Sequence, residues 1–308
     1  MKLQLPNDTL HIAAGHWNAI PMAPVEGSNH SFYEVCVDGR PCIMRMTNAG
    51  YRDLSAVLAE LHWINFLSAK MPVARPLLSS DNRVAIPVEM DGRTMIVCLF
   101  EKIGGLRLRE EEAWGPAIFK AWGKTMSTLH SHSRQYRAGT HDHRQLDGNC
   151  LIGLAEKEMG KNSATFAMLN GKWKTLQSIP ANEWGMIHGD LTQANMHFFN
   201  NILYLFDFDN CQYAPYIYDV AVTVYVTLFS IWRQPGFESK ASEFLEHFFE
   251  GYGQPGMDAC LLRELLDFFN ALVHLACGKR KDHPFMEYTL YNLKHGTLQG
   301  IRLESFVN

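Results

Sequence analysis

Two short stretches hold residues whose types and spacing could do chemistry. The first is Met186-Ile187-His188-Gly189-Asp190-Leu191-Thr192-Gln193-Ala194-Asn195. The second is Leu203-Tyr204-Leu205-Phe206-Asp207-Phe208-Asp209. An Asp beside a Gly on a loop exposes a carboxylate that can accept a proton from a hydroxyl. Asn195, five residues further on, offers a carbonyl oxygen, and Asp207 ends an apolar run with a carboxylate. Hard oxygen donors of this kind suit Mg²⁺, which keeps several waters and binds substrate phosphates. A base and two magnesium ligands are the minimum set for moving a phosphoryl group from a nucleotide. An ordinary turn accounts for an isolated His-Gly-Asp. It does not account for Asp190, Asn195 and Asp207 together.

Elements that could position these groups follow from the pattern. Residues 7–17 read as a short helix and Ile20 to Val25, with two prolines, as an irregular edge strand. Phe32 to Val37 and Cys42 to Met46 read as strands around an Asp38-Gly39 turn. Alternation puts Arg45 on the face of Ile43, opposite Met44 and Met46. Asp53 to Ala69 reads as a helix with Leu54, Val57, Leu58, Leu61, Ile64 and Leu67 in a stripe and Glu60 beside it. Val84 to Met90 and Thr94 to Phe100 form a second hairpin about Asp91-Gly92. The first hundred residues therefore read as a five-stranded antiparallel sheet with one helix against it, an α+β lobe. Residues 101–105 read as a hinge. Residues 106–308 read as a larger, mostly helical lobe, with helices expected at Pro116 to Ser131, within Cys150 to Ile179, and at Asp219 to Trp232, Ser242 to Tyr252, Asp258 to Cys277 and Phe285 to Leu303.

Composition narrows the partners. A net charge of −4 over 308 residues gives no basic surface for nucleic acid. Seven scattered cysteines, with no CxxC pair, read as reduced thiols of a cytoplasmic protein. The longest apolar run, Val220 to Trp232, is too short to span a bilayer, so no membrane partner is expected.

His188-Gly189-Asp190, Asn195 and Asp207-Phe208-Asp209 resemble the catalytic and metal motifs of the aminoglycoside phosphotransferase, choline kinase and type II homoserine kinase family. The order of elements from about Ile20 to the C-terminal helices resembles it too. The resemblance implies a two-lobed protein-kinase-like fold and an ATP-dependent kinase using Mg²⁺. It implies Asp190 as catalytic base, and Asn195 and Asp207 as metal ligands, with Asp209 either assisting or capping the next turn. It implies Gly27, Ser28 and Asn29 in a loop over the phosphates, and Ile43, Arg45, Glu60, Phe100, Glu101 and Lys102 at the ATP site. In that set Glu60 orients Arg45, and Phe100 to Lys102 form the adenine-binding hinge. His188 and Asp219 would support the catalytic loop. Arg45 stands where the family has Lys, and the nucleotide loop is not a full G-x-G-x-x-G.

Only Phe208 to Tyr218 separates Asp207 from Asp219, which leaves no room for the segment on which protein kinases dock peptides. A small hydroxylated acceptor is the leading expectation. A protein Ser/Thr kinase of this fold and a catalytically weak nucleotide-binding pseudokinase are the alternatives. An aminoglycoside acceptor would need an acidic pocket, for which Glu243, Glu246, Glu250, Asp258, Glu264 and Asp267 are candidates. His130, His132, His141 and His143 read as helix-end or loop histidines, and Phe244, Phe248, Phe249 and Tyr252 as helix packing.

Overall fold

A computed structural model describes residues 7–25, 30–108, 114–147, 152–153, 156–158, 160, 163–253, 257–277, 283–298 and 300–307. Gly27, Ser28 and Asn29 lie outside the described residues. The chain divides into two compact units. The first comprises Met1–Gly105, Tyr136–Arg144 and Tyr204–Asp209, and the second Leu106–Gln135, Gln145–Leu203 and Asn210–Asn308.

The first unit begins with α1 (Asn7–Gly15), β1 (Ile20–Val25), β2 (Ser31–Val37) and β3 (Arg40–Asn48). Then come α2 (Leu54–Ser68), β4 (Pro76–Leu77), β5 (Ile86–Met90) and β6 (Arg93–Glu101). The sheet runs β1-β2-β3-β6-β4, with β5 also on β6. The five expected strands are present, and the two-residue β4 adds a sixth that is too short to leave a periodic signal. β1 is an edge strand whose register shifts between Pro21 and Ala23, as proline's missing N–H dictates. Asp38-Gly39 and Asp91-Gly92 both take positive φ at their two positions, the twist that suits a two-residue hairpin.

Alternation along the strands sorts two faces. Met44, Met46, Val97 and Leu99 join Trp17, Leu10 and Ala13 in one apolar cluster. Arg45, pointing the other way from its neighbours Met44 and Met46, meets α2 through Glu60. Helix α2 begins at Asp53, whose side chain accepts the N–H of Ala56, and buries Val57, Leu61, Trp63, Ile64 and Leu67. Leu205 is tied to this unit by hydrogen bonds to Pro72 and Ala74, which fixes the approach to Asp207.

The second unit holds β7 (Leu106–Arg107), α3 (Pro116–Ser133), α4 (Ala164–Gln177), β8 (Trp184–Ile187) and β9 (Met196–Phe199). After β10 (Ile202–Leu205), which leads into the first unit, it resumes with β11 (Gln212–Pro215) and α5 (Tyr216–Ile231). Helices α6 (Phe237–Tyr252), α7 (Ala259–Cys277) and α8 (Pro284–His295) complete it. Helix α8 is shorter than the expected Phe285 to Leu303: Gly296, at φ 83, caps it after His295. Helices α3 and α6 touch backbone to backbone. A Cβ at Gly123 would lie 1.9 Å from the carbonyl oxygen of Phe248, so only glycine fits there. Phe244 and Phe248 stack edge-on against Trp122 in that contact, which makes them core. Among the described residues no helix is long and apolar enough to cross a membrane.

Candidate active site

In the second unit, β8 runs antiparallel to β11, with Ile187 opposite Gln212. One strand delivers His188 and the other delivers α5. Asp219, in the first turn of α5, therefore meets the loop that starts at His188. Its Oδ2 accepts the N–H of His188 at 3.0 Å and its Oδ1 the N–H of Gly189 at 2.9 Å. His130 of α3 donates from Nε2 to Oδ2 at 3.1 Å, and its Nδ1 lies 2.9 Å from the hydroxyl of Tyr252. Because Nε2 faces a carboxylate, it carries the proton, and Nδ1 accepts from Tyr252. Burial opposes the charge on Asp219, but hydrogen bonds from His130 and the backbone hold its carboxyl below the usual range.

The loop continues to be held from α5. Thr223, one turn after Asp219, donates to the carbonyl of Leu191 at 2.6 Å. Ser230 receives Gln193 Nε2 at 2.6 Å. Gly189 adopts φ 80, and a Cβ there would lie 2.2 Å from the Asn210 carbonyl oxygen. The loop thus reaches Asp190 through a turn that only glycine makes. Asn195, in a 3₁₀ turn, donates from Nδ2 to the Asp190 carbonyl at 2.8 Å and to its carboxylate at 3.0 Å. Its amide nitrogen is thereby spent, and its carbonyl oxygen is the end that can accept a cation.

The first unit carries the other half of the expected set. Arg45 and Glu60 form a two-pronged pair, Nη1 to Oε1 at 2.7 Å and Nη2 to Oε2 at 2.9 Å, both residues buried. The Arg45 guanidinium also lies 5.2 Å from the centre of the Phe100 ring. Burial opposes charge on both, yet each holds the other ionised: Arg45 is raised and Glu60 lowered. Ile43 pairs with Phe100 across β3 and β6. Glu101 and Lys102 are exposed; Glu101 bonds Arg75, and Lys102 bonds Glu34 at 2.6 Å.

Asp207 takes φ 61, and its Oδ1 is buried with no hydrogen-bond partner among the described residues. Burial pushes its carboxyl up despite the nearby Arg45. An orphaned carboxylate oxygen and the Asn195 carbonyl are hard donors of the kind a divalent cation takes. Asp209 is differently placed. Its Oδ1 accepts from Arg52, and its Oδ2 lies 3.1 Å from His30 Nε2 and 3.4 Å from the Tyr51 hydroxyl. Burial opposes its charge, but His30 and Arg52 hold its carboxyl well below the usual range.

The sequence reading passes over Arg52, His30, Thr223 and Ser230, and gives His130 only as a helix-end or loop histidine. The spacing of Thr223, one turn after Asp219, was the one readable signal. The acidic residues weighed for a cationic acceptor stand on α6, on α7 and at the start of α7. Glu243, Glu246 and Glu264 are exposed. Glu250 is exposed too and pairs with Lys120, Asp258 caps α7, and Asp267 accepts from Thr297 at 2.6 Å.

This fold and these motifs define a phosphotransferase of the protein-kinase-like class. The chain matches the phosphotransferase enzyme family APH over residues 23–262 and belongs to it. It is an ATP-dependent phosphotransferase. It is 24% identical to the amicoumacin kinase of Bacillus subtilis (strain 168) over 247 residues, covering 77% of this chain and 72% of that protein. Its fold is similar to that of an amicoumacin kinase solved in complex with AMP-PNP, Ca2+ and Ami. The TM-score is 0.81 at 20% identity, over 96% of this chain and 95% of the other. A microcompartment-associated aminopropanol kinase matches with TM-score 0.72 at 20% identity, over 97% and 100% of the two chains.

Proposed function

We propose that the protein moves the γ-phosphoryl group of ATP to a hydroxyl of a small molecule that also bears an amine. Asp190 is the catalytic base. It orients the acceptor hydroxyl and takes its proton as the oxygen attacks phosphorus. Asn195 and Asp207 hold Mg²⁺, and Asp209, whose oxygens face Arg52, His30 and Tyr51, anchors the chain two residues further on. The chemistry such a cation supplies when bound is neutralisation of charge on the phosphate oxygens. Arg45, fixed by Glu60, contributes a positive charge beside the nucleotide. Phe100, Glu101 and Lys102 in the hinge, with Ile43, receive the base, and Gly27, Ser28 and Asn29 cover the phosphates. The lobe of residues 1–100 serves the nucleotide, and residues 106–308 serve the acceptor.

The observation that carries this reading is the buried Asp219 holding the backbone of His188 and Gly189, so that Asp190 leaves a rigid loop at a fixed angle. General bases contribute about 10²- to 10⁴-fold when so positioned. The amine-bearing acceptor is suggested by the aminopropanol kinase and the aminoglycoside phosphotransferases among the similar structures. The test is an ATP-consumption screen over amino alcohols, hydroxylated metabolites and aminoglycosides, with Asp190→Ala as the blank. Asp190→Ala is expected to lose at least about 100-fold in kcat while still binding nucleotide. Native turnover by that variant would remove Asp190 from the role.

A further inference from the structure

We infer that Arg52 is a positioning residue of this site: it binds Asp209 to the Arg45–Glu60 pair and leaves Asp207 as the carboxylate with an oxygen to give to a cation. The inference rests on the proposed metal role of Asp207. Nothing about its sequence position, just before the cap of α2, marks Arg52 out.

Its contacts do. Arg52 is buried. Nη1 donates to Glu60 Oε2 at 2.8 Å and also to Asp209 Oδ1, while Nη2 donates to the Ala56 carbonyl at 3.2 Å. Arg45, Glu60, Arg52 and Asp209 therefore alternate in sign along one buried chain of contacts. Two positive and two negative charges balance, so no member is left as an uncompensated buried ion. Asp209 passes the connection on. Its Oδ2 faces His30 Nε2 at 3.1 Å, and His30 Nδ1 lies 3.0 Å from Thr47 Oγ1 on β3. His30 directly follows residues 26–29, the stretch proposed to cover the phosphates.

Two consequences follow for Asp207. Carboxylates two residues apart repel each other. With both oxygens of Asp209 facing Arg52, Tyr51 and His30, its charge is met by partners other than a cation and that repulsion is reduced. The second consequence concerns the backbone. A non-glycine residue at φ 61, as Asp207 has, is in a sparsely populated conformation that persists where its surroundings over-determine it. Leu205 is fixed on one side by Pro72 and Ala74, and Asp209 on the other by Arg52. Arg52 is thus one of the two anchors that hold Asp207 in its unusual conformation.

The test is a double-mutant cycle read by the Mg²⁺ concentration for half-maximal rate, with kcat and the KM for acceptor. Folding is checked by thermal unfolding. Arg52→Met is expected to raise the half-saturating Mg²⁺ at least ten-fold and to lower kcat, with the acceptor KM unchanged. Arg52→Lys keeps the charge but cannot bridge two carboxylates, and falls between. Asp209→Asn should resemble Arg52→Met. The double variant Arg52→Met/Asp209→Asn should be no worse than the worse single, because Arg52 acts through Asp209. If Arg52→Met does not fold, the double variant, which removes one charge of each sign, is compared with Asp209→Asn alone. Native Mg²⁺ dependence in folded Arg52→Met, or a double variant that loses the product of both singles, overturns the inference. Asp207→Asn is measured alongside. If it too keeps native Mg²⁺ dependence, the metal role of Asp207 has failed. If it loses that dependence while Arg52→Met does not, only the role of Arg52 has failed.

Discussion

The two units hold their candidate carboxylates by different physics. In the first, Asp207 sits beside a chain of ion pairs, Arg45 to Glu60 to Arg52 to Asp209, all of them buried. In the second, Asp190 follows a loop held by one buried charge, Asp219. That charge is met by two backbone N–H groups and His130. Removing a member of the first network leaves an unpaired buried charge. Removing the charge in the second leaves dipoles that a neutral side chain can still partly satisfy. Ion pairing makes the first network intolerant of single changes. Hydrogen bonding makes the second tolerant of charge loss but dependent on geometry.

The sharpest test of that contrast is Glu60→Gln, which leaves Arg45 and Arg52 facing a neutral amide. It is expected to cost about 3–5 kcal/mol of stability, read by denaturant unfolding, and most of the ATP affinity. Asp219→Asn keeps an acceptor for one of the two N–H groups and is expected to cost about 1–3 kcal/mol. If Asp219→Asn costs as much as Glu60→Gln, the contrast fails.

Gly189→Ala probes geometry alone. Positive φ costs the alanine about 1–2 kcal/mol, and its methyl overlaps the Asn210 carbonyl, so kcat should fall further than the loss of stability suggests. A variant with native kcat would mean that the angle at which the loop presents Asp190 does not matter.

The smallest expected effect is a pH dependence in the first unit. Tyr136 connects His143 Nε2, at 2.7 Å, with His62 Nδ1, at 2.5 Å, against α2. Burial, with His62 and His141 as like-charged neighbours, pushes His143 down to about 4, and Asp142 opposes this. Between about pH 4 and 6.5 the unfolded chain binds a proton that the folded chain refuses. This contribution to stability is complete above pH 6.5 and declines as the pH falls toward 4. The thermal unfolding midpoint should therefore drop on acidification over that window. His143→Gln should flatten the curve there; an unchanged slope would remove His143 as the cause.

Much of the fold was legible because its signals are local. The two Asp-Gly turns needed only adjacent residues with positive φ. Helix α2 announced itself by a stripe at helical spacing; that Asp53 caps it is seen in the fold. The alternation of β3 separated Arg45 from Met44 and Met46 before any sheet was built. Helix α8 was read too long because Gly296, a stop signal, was passed over. Strand β4 was missed because two residues have no period.

Residue types and spacing pointed to the chemistry before any packing was known, since Asp190, Asn195 and Asp207 form a motif that is read along the chain. The sequence by itself also made a small acceptor the leading expectation, because the short run to Asp219 is a matter of counting. Only the tertiary structure decided which groups neutralise which. Arg52 meets Asp209 across 157 positions, and His130 meets Asp219 across 89. Pairing a charge depends on distance through space, and hydrophobic periodicity carries no record of it. That is why Asp207 and Asp209, two residues apart in one motif, stand in opposite situations: one has an oxygen without a hydrogen-bond partner among the described residues, and the other has both oxygens engaged.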